Sequence, residues 1–420
     1  MNTLYSAGIV LYTALIRLSA LFSPKARLWL KGRAHWRSRY AVLLGEKKSP
    51  RIWVHAASLG EFEQGRPFIE AFRTKHPDWE VVLTFFSPSG YEIRKNHPLA
   101  HHVLYLPADT PDNARDFTAL IDPDIAVFVK YEFWANYLSA LHHRNTPTLL
   151  ISALFRPSQP FFKPWGAFWR QMLDCFSHVF VQNQSSYDLL HSIGYDRTTI
   201  AGDTRVDRVL DLVQQAKEDL VVAAFAFQRP TLIVGSSWYD DEKVILPALL
   251  NEPEGYKLVI APHEPSTLYL EKLEKQIAAI AHGGSVLRYS VATPETAAKA
   301  RVLIIDNVGL LNTLYRYGTA AYIGGGFGKG IHNTLEPAAW GLPILFGPKH
   351  EKFEEAREFV ATGGAYVVHG SAQLVSITAW LSVPQNRDKA SAAVGVYLMK
   401  NKGATTAIMA WLGQNMPELR

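Results

Sequence analysis

Ala320-Ala321-Tyr322-Ile323-Gly324-Gly325-Gly326-Phe327-Gly328-Lys329-Gly330-Ile331-His332-Asn333-Thr334-Leu335-Glu336-Pro337-Ala338-Ala339-Trp340-Gly341-Leu342-Pro343-Ile344-Leu345-Phe346 is the stretch on which the fold turns. A short apolar run of strand length, Ala320–Ile323, passes into five glycines within seven positions, Gly324 to Gly330. A short helix-compatible segment follows, and Pro343–Phe346 returns as a second apolar run. Strand, turn, helix and strand in that order make a parallel crossover. Glycines allow the backbone to approach a ligand closely, and the amino end of the short helix can face an anion. Glu336, one turn along, is placed to accept hydrogen bonds from ribose hydroxyls. The alternative is a purely structural glycine turn. Lys329 is not followed by Ser or Thr, so this is not a Walker A loop, and no properly spaced G-x-G-x-x-G is present. ATPase and dinucleotide-dehydrogenase readings therefore lose their main support.

The same alternation extends outward. Toward the amino end the spacing predicts strands at Thr231–Gly235, Lys257–Ala261, Ser285–Tyr289 and Val302–Ile305, and beyond the crossover at Ala365–Val368. An earlier series is predicted at Arg51–Ala56, Val81–Phe86, His102–Leu106, Ile125–Val129, Thr148–Ile151 and His178–Val181, with a charged helix around Val206–Leu220 between the series. Short β-branched runs alternating with helices describe parallel sheets covered on both faces, here two Rossmann-like units in tandem. The segment Lys402–Leu412 reads as a closing helix. Length agrees: 420 residues is ample for two domains with their own cores.

Ligands of open parallel sheets bind outside the carboxyl ends of the strands, so unusual residues at strand exits are the functional candidates. His55-Ala56-Ala57-Ser58-Leu59-Gly60-Glu61 sets Glu61 at a helix start. That carboxylate either complements the helix dipole or takes a proton from an incoming hydroxyl. Lys130-Tyr131-Glu132-Phe133-Trp134 surrounds Glu132 with aromatics that would partly desolvate it, although a surface glutamate at a helix start is the plainer account. Gly235-Ser236-Ser237-Trp238 offers amides and hydroxyls to a phosphate or carboxylate. Asp122-Pro123-Asp124 has the D-x-D form of a metal-diphosphate site, yet it precedes a strand and so belongs at the opposite sheet edge, as a turn.

Charge and cysteine usage bound the rest. A formal net charge of +5 is too weak for a dedicated nucleic-acid binder, and the single Cys175 can form neither an internal disulfide nor a zinc cage. From Met1 to Gly45 there is no acidic residue, while Arg17, Lys25, Arg27, Lys31, Arg33, Arg37 and Arg39 are cationic. The mostly apolar run Leu4–Phe22 covers about 28 Å as a helix. It has no small-x-small cleavage site after it, so it is expected to be retained, inserted in the interface or spanning briefly, with the basic residues on anionic lipid and the body of the protein cytoplasmic. A buried core helix is the alternative. Phe161–Trp169, dense in aromatics beside Lys163 and Arg170, reads either as core or as a second headgroup contact.

Taken with these exits, the sequence resembles the 3-deoxy-D-manno-octulosonic acid (Kdo) transferases of lipopolysaccharide synthesis. The resemblance is carried by His55–Glu61, Thr84–Gly90, Glu132-Phe133-Trp134, Gly202–Asp207, Ala261-Pro262-His263 and His332–Ala339. It implies an α/β GT-B glycosyltransferase: residues 1–34 a membrane anchor and basic juxtamembrane segment, 35–208 an acceptor domain, and 209–420 a nucleotide-sugar domain that ends in the closing helix, the two Rossmann-like domains facing a cleft. It implies CMP-Kdo as donor, the lipid A precursor lipid IVA as acceptor, and inversion at the anomeric carbon. The membrane surface is a partner and nucleic acid is not. The implied site is the inner membrane, with catalytic domains on its cytoplasmic face. Glu61 matches the family's proton acceptor, and Glu132 and Arg205 match positions that stabilise the transition state. CMP contacts fall on Pro262 and His263, on Val308, Gly309 and Leu310, and on Asn333, Thr334, Leu335 and Glu336. No metal or cofactor is called for. His263 stands where many relatives carry Arg, Arg205 where many carry Lys, and Ala135 where many carry Pro. Two rival readings share the architecture: a membrane glycosyltransferase using a UDP-sugar, and a nucleotide-sugar epimerase.

Overall fold

The computed structural model describes residues 2–227, 229–251, 255–280 and 285–416, which form two compact units. One comprises Met1–Asp207 together with the segment from Asn401 onward; the other is Arg208–Lys400. The first holds seven parallel strands: β1 Arg51–Ala56, β2 Glu80–Phe85, β3 His102–Tyr105, β4 Ile125–Val129, β5 Thr148–Ala153, β6 His178–Val181 and β7 Thr198–Ile200. Their order is β3-β2-β1-β4-β5-β6-β7. The second also holds seven: β8 Thr231–Ser237, β9 Lys257–Pro262, β10 Val286–Arg288, β11 Val302–Ile304, β12 Ala320–Ile323, β13 Ile344–Phe346 and β14 Ala365–Val367. They run β10-β11-β9-β8-β12-β13-β14, all pairs parallel. The first order reverses between β1 and β4; the second reverses between β8 and β12 and also inserts β11 between β9 and the edge strand β10, and a switch point such as β1/β4 or β8/β12 is where open sheets hold ligands.

The first sheet is buried on both faces, as its uninterrupted apolar strands require. On one face Trp53, Phe117, Phe128 and Tyr137 are wholly buried and meet edge to face with ring centroids 5.3–5.7 Å apart. On the other, Val54, Phe62, Phe68 and Phe72 pack with Ile408 and Leu412 of the last described helix, Ala404–Asn415. That closing helix, expected in the carboxyl-terminal domain, is thus part of the first unit's core. The strand β7 lies outside the expected series: it is Thr-Thr-Ile, with no apolar run to mark it. Asp122 closes the helix Pro111–Ile121 in the left-handed conformation, φ 47°, and Asp124 accepts the Arg51 amide at 2.7 Å while pairing with Lys47. Both aspartates serve the turn before β4, and among the described residues no group of three His, Cys, Asp or Glu side chains is placed to hold a metal.

The amino-terminal helix runs Asn2–Ser19, and no described helix is long and apolar enough to cross a membrane. Its half-buried stripe includes Tyr5, Ser6, Ile9, Thr13 and Ile16, with Tyr5 and Ser6 hydrogen-bonding to the first unit at Asp109 and Asn136. Its outward positions Leu4, Val10, Leu11, Leu15 and Leu18 are exposed. Unlike an ordinary surface helix, it presents apolar side chains outward as well as inward. Several of the nearby cations serve the protein rather than a surface. Arg33, expected in the basic juxtamembrane segment, is buried: it donates to the Leu106 and Phe86 carbonyls at 2.7 Å and lies 3.8 Å over the Trp29 ring. Burial pulls its pKa down to about 9. Arg37 pairs with Asp116 at 2.7 Å, whereas Arg17, Lys25, Arg27 and Lys31 are exposed. In the aromatic stretch Phe161 is buried and Phe162, Phe168 and Trp169 pack on the core, so only Trp165 stands well out.

Asp109 is fully buried and accepts the Tyr5 hydroxyl at 2.7 Å and the amides of Asn136 and Tyr137. Desolvation nevertheless pushes its carboxyl up to about 6. A carboxyl raised on folding contributes stability that is complete below its unfolded pKa, near 4, and is lost as the pH rises through 6. Relative to Asp109→Asn, the wild-type protein is expected to lose on the order of 2 kcal/mol of unfolding free energy between pH 4 and pH 7. Urea titrations of both proteins at each pH give the difference directly; a flat difference would show that Asp109 does not titrate there.

Candidate active site

At the switch point of the first sheet, a line of buried polar groups leads to Glu132. The Trp53 indole donates to the Thr84 hydroxyl at 2.8 Å, and that hydroxyl lies 2.8 Å from Nδ1 of His55. His55 Nε2 is 3.2 Å from a Glu132 carboxylate oxygen, and the Trp134 indole donates to the same oxygen at 2.6 Å. The Trp134 indole nitrogen is also 3.1 Å from Nε2, so Trp134, His55 and Glu132 form one three-way cluster, with the Thr84 hydroxyl on the far nitrogen of the imidazole. His55 has no exposed surface and Glu132 is 8% exposed. The cluster therefore fixes the orientation of a carboxylate at the end of β4.

Glu61 lies at the exit of the neighbouring strand β1, in the first turn of the helix Leu59–Lys75. Ser58-x-x-Glu61 has the form of a capping box, in which Ser and Glu side chains bond reciprocally to backbone amides and are thereby used up. No such cap forms: the Ser58 hydroxyl bonds to the Glu61 carboxylate itself. The acid is thus held by a hydroxyl and kept half-buried at the carboxyl end of β1. Thr204, at the start of the helix Thr204–Gln215, donates to the Gln64 carbonyl one turn beyond Glu61 at 2.5 Å, which anchors that helix on the first. The adjacent Arg205 is clamped on Asp203, with Nε 3.0 Å and Nη2 2.7 Å from Oδ2, and Asp203 is 1% exposed. The clamp fixes the guanidinium and offsets part of its charge.

A cavity of about 300 Å³ adjoins the same edge, lined among others by Tyr12, Ile16, Ala26, Trp29 and Phe86, with Lys25 also in its wall. Phe86 packs against Trp134 at 4.6 Å between centroids, so the cavity wall touches the ring that holds Glu132.

The second unit carries a cavity of about 380 Å³ at its own switch point. Four expected nucleotide contacts line it: His263, Gly309, Asn333 and Glu336. Asn333 organises its floor, accepting the Leu335 amide and donating to Glu336, both at 3.0 Å. Pro262, Thr334 and Leu335 are buried in the framework, Leu310 is half-buried, and Val308 is 88% exposed on the loop before Gly309. Arg208, Ser236, Asn312 and His332 are among its other lining residues; of these only Ser236 had been picked out, as part of a turn able to hold an anion. Ser236 follows the small-residue exit noted in the sequence; Arg208 and Asn312 carried no signal.

The glycine loop does different work from that expected. A Cβ on Gly324 would sit 2.2 Å from the Ser236 carbonyl oxygen, and one on Gly326 would sit 2.5 Å from the Gly347 amide nitrogen. Gly325, at φ +92°, donates its amide to buried Asp241 at 2.8 Å. Asp241 also takes the Trp238 amide and the Tyr322 hydroxyl, and burial raises its pKa. These glycines let three loops of the protein cross at backbone distance. The following helix, Leu335–Ala339, is five residues long, and its Leu335 amide is already taken by Asn333.

Two parallel-sheet α/β units with their chemistry-bearing residues at strand carboxyl ends are the GT-B-like arrangement of glycosyltransferases. A solved UDP-GlcNAc 2-epimerase from Neisseria meningitidis, bound to UDP-GlcNAc, shares this fold with a TM-score of 0.59 at 16% identity, over 87% of this chain and 100% of that one. Residues 34–208 match the family described as 3-deoxy-D-manno-octulosonic-acid transferase (kdotransferase). The chain is 26% identical to 3-deoxy-D-manno-octulosonic acid transferases of Aquifex aeolicus, over 83% of this chain and 92% of that one, and of Haemophilus influenzae, over 85% of each. Over most of its length, then, the chain is similar to Kdo transferases, and the family match itself falls on the first unit.

Proposed function

We propose that the protein transfers Kdo from CMP-Kdo to a hydroxyl of a lipid A precursor, lipid IVA, in lipopolysaccharide biosynthesis. The observation that carries this reading is the placement of Glu61 and Glu132 at neighbouring strand exits of a unit whose residues 34–208 match the Kdo transferase family model. Glu61 takes the proton of the acceptor hydroxyl as its oxygen attacks the anomeric carbon, and CMP departs from the opposite face. Configuration inverts and no sugar-enzyme bond forms. Glu132, oriented by His55 and Trp134, and Arg205, held by Asp203, stabilise the charge that develops. The cavity of the second unit holds CMP, with Glu336 toward the ribose and His263 and Arg208 toward the phosphate. The sequence relatives are transferases, which favours this reading over the epimerase; titration with CMP and UDP separates it from a UDP-sugar transferase. Its test is transfer from CMP-Kdo, generated in situ, to lipid IVA, with the added mass counted. Absence of any Kdo-bearing product would reject it.

The helix Asn2–Ser19 serves as an interfacial anchor on the inner membrane, with the catalytic units on the cytoplasmic side. Support comes from its exposed apolar face, Leu4, Val10, Leu11, Leu15 and Leu18, and from exposed Arg17, Lys25, Arg27 and Lys31 beside it. Leu11→Glu with Leu15→Glu is expected to weaken sedimentation with anionic vesicles by about tenfold or more, because two apolar side chains are lost from lipid. Undiminished binding would remove the helix from the membrane contact.

A further inference from the structure

Three aromatic rings from three strand exits meet beside the cavity of the second unit. The Trp238 indole donates to Nε2 of His332 at 3.0 Å, and the two rings are nearly coplanar, 15° apart with centroids at 6.5 Å. His263 lies over both, 4.6 Å from Trp238 and 4.3 Å from His332. Gly325 makes room for this platform, since a Cβ there would stand 3.3 Å from the His332 ring. An indole N–H only donates, so Nε2 of His332 accepts and the single proton of the neutral ring sits on Nδ1. Burial and the neighbouring His263 hold its pKa down to about 4, so the ring is neutral at working pH.

We propose that Trp238 is a positioning residue of this site: by fixing His332 as the Nδ1-protonated imidazole beneath His263, it sets a neutral hydrogen-bond donor for an anionic oxygen of the nucleotide. The inference rests on the reading of this cavity as the donor site and extends it to residues that the sequence did not select. An unpinned ring would spend part of its time with the proton on the wrong nitrogen, presenting a lone pair to an anion. The same platform orients His263, which is stacked on both of the nearly coplanar rings.

The test uses the full chain and CMP as probe. Trp238→Phe keeps the stacking face and removes the N–H; it is expected to weaken CMP binding about tenfold, the usual scale for misplacing one hydrogen bond to an anion. His332→Asn carries an amide donor near the place of Nδ1 that needs no indole, so in that background Trp238→Phe is expected to change CMP affinity less than twofold. Nitrogen-15 shifts of His332 in the free wild-type protein are expected to report Nδ1–H, and in Trp238→Phe a mixture of tautomers. The proposal is overturned by wild-type His332 protonated at Nε2, or by Trp238→Phe binding CMP within twofold of wild type. The tautomer is read without ligand. A wild-type protein that fails to bind CMP would therefore reject the donor-site reading, and a wrong tautomer would reject the platform.

Discussion

Replacing Glu61 with Gln is expected to lower kcat for Kdo transfer by at least about 100-fold while leaving CMP affinity within about twofold of wild type. Gln keeps the size and the hydrogen-bonding reach of the side chain and loses only the capacity to take a proton. The Ser58 hydroxyl still finds an amide oxygen, so the start of the helix Leu59–Lys75 should hold its place, and circular dichroism should be unchanged. CMP affinity is the informative control, because the proposed nucleotide cavity is built wholly from Arg208 onward, in the other unit. Single-turnover rates with lipid acceptor in excess measure the chemical step. A variant within tenfold of wild type would strip Glu61 of the role of base, and the buried Glu132 would be the next residue to test.

Gly326→Ala should unfold or severely weaken the second unit. The new Cβ would lie 2.5 Å from the Gly347 nitrogen and 2.6 Å from its Cα, backbone atoms of a strand exit that cannot rotate away, and Gly347 faces the same restriction in return, 2.7 Å from the Gly326 carbonyl carbon. Overpacking of this kind costs about 3 kcal/mol. In a unit of this size that corresponds to a fall in Tm of roughly 6–12 °C. Gly328→Ala is the control, since its Cβ would have only an ordinary contact at 3.6 Å. Thermal unfolding of the two variants should therefore separate them clearly. Equal stability would mean that the loops at Gly326 and Gly347 have room to part.

The contrast between these two positions shows what a sequence can and cannot disclose. A strand such as Ile125–Val129 was legible because burial on both faces leaves an uninterrupted apolar run. Glu61 and Glu132 were legible as candidates because the end of such a run is a sheet edge. The work of the glycines was not. Gly324 and Gly326 look alike whether a ligand or a carbonyl comes near them, and the partners here are Ser236, far back in the sequence, and Gly347. Trp238 and His332 are separated by 94 residues, and His55 and Glu132 by 77, so neither hydrogen bond has a local pattern. The assignment of the last helix failed for a related reason. An amphipathic segment announces that it will be buried, and the composition of Ala404–Asn415 does not say against which sheet.

That last helix has a consequence for how the chain is made. Asp207 accepts the amides of Gly403 and Thr405 at 2.5 and 2.7 Å, and Asp203 donates its own amide to the Asn401 carbonyl, so the returning chain is fastened where the first unit was left. Ile408 and Leu412 then fill the core beside Phe68 and Phe72. Synthesis proceeds from the amino terminus, and domains commonly fold as they emerge. Here the order is inverted: residues 208–400 contain all seven strands of their own sheet, while the half that leaves the ribosome first keeps the side of Phe68 and Phe72 that Ile408 and Leu412 cover open until the helix Ala404–Asn415 has been made.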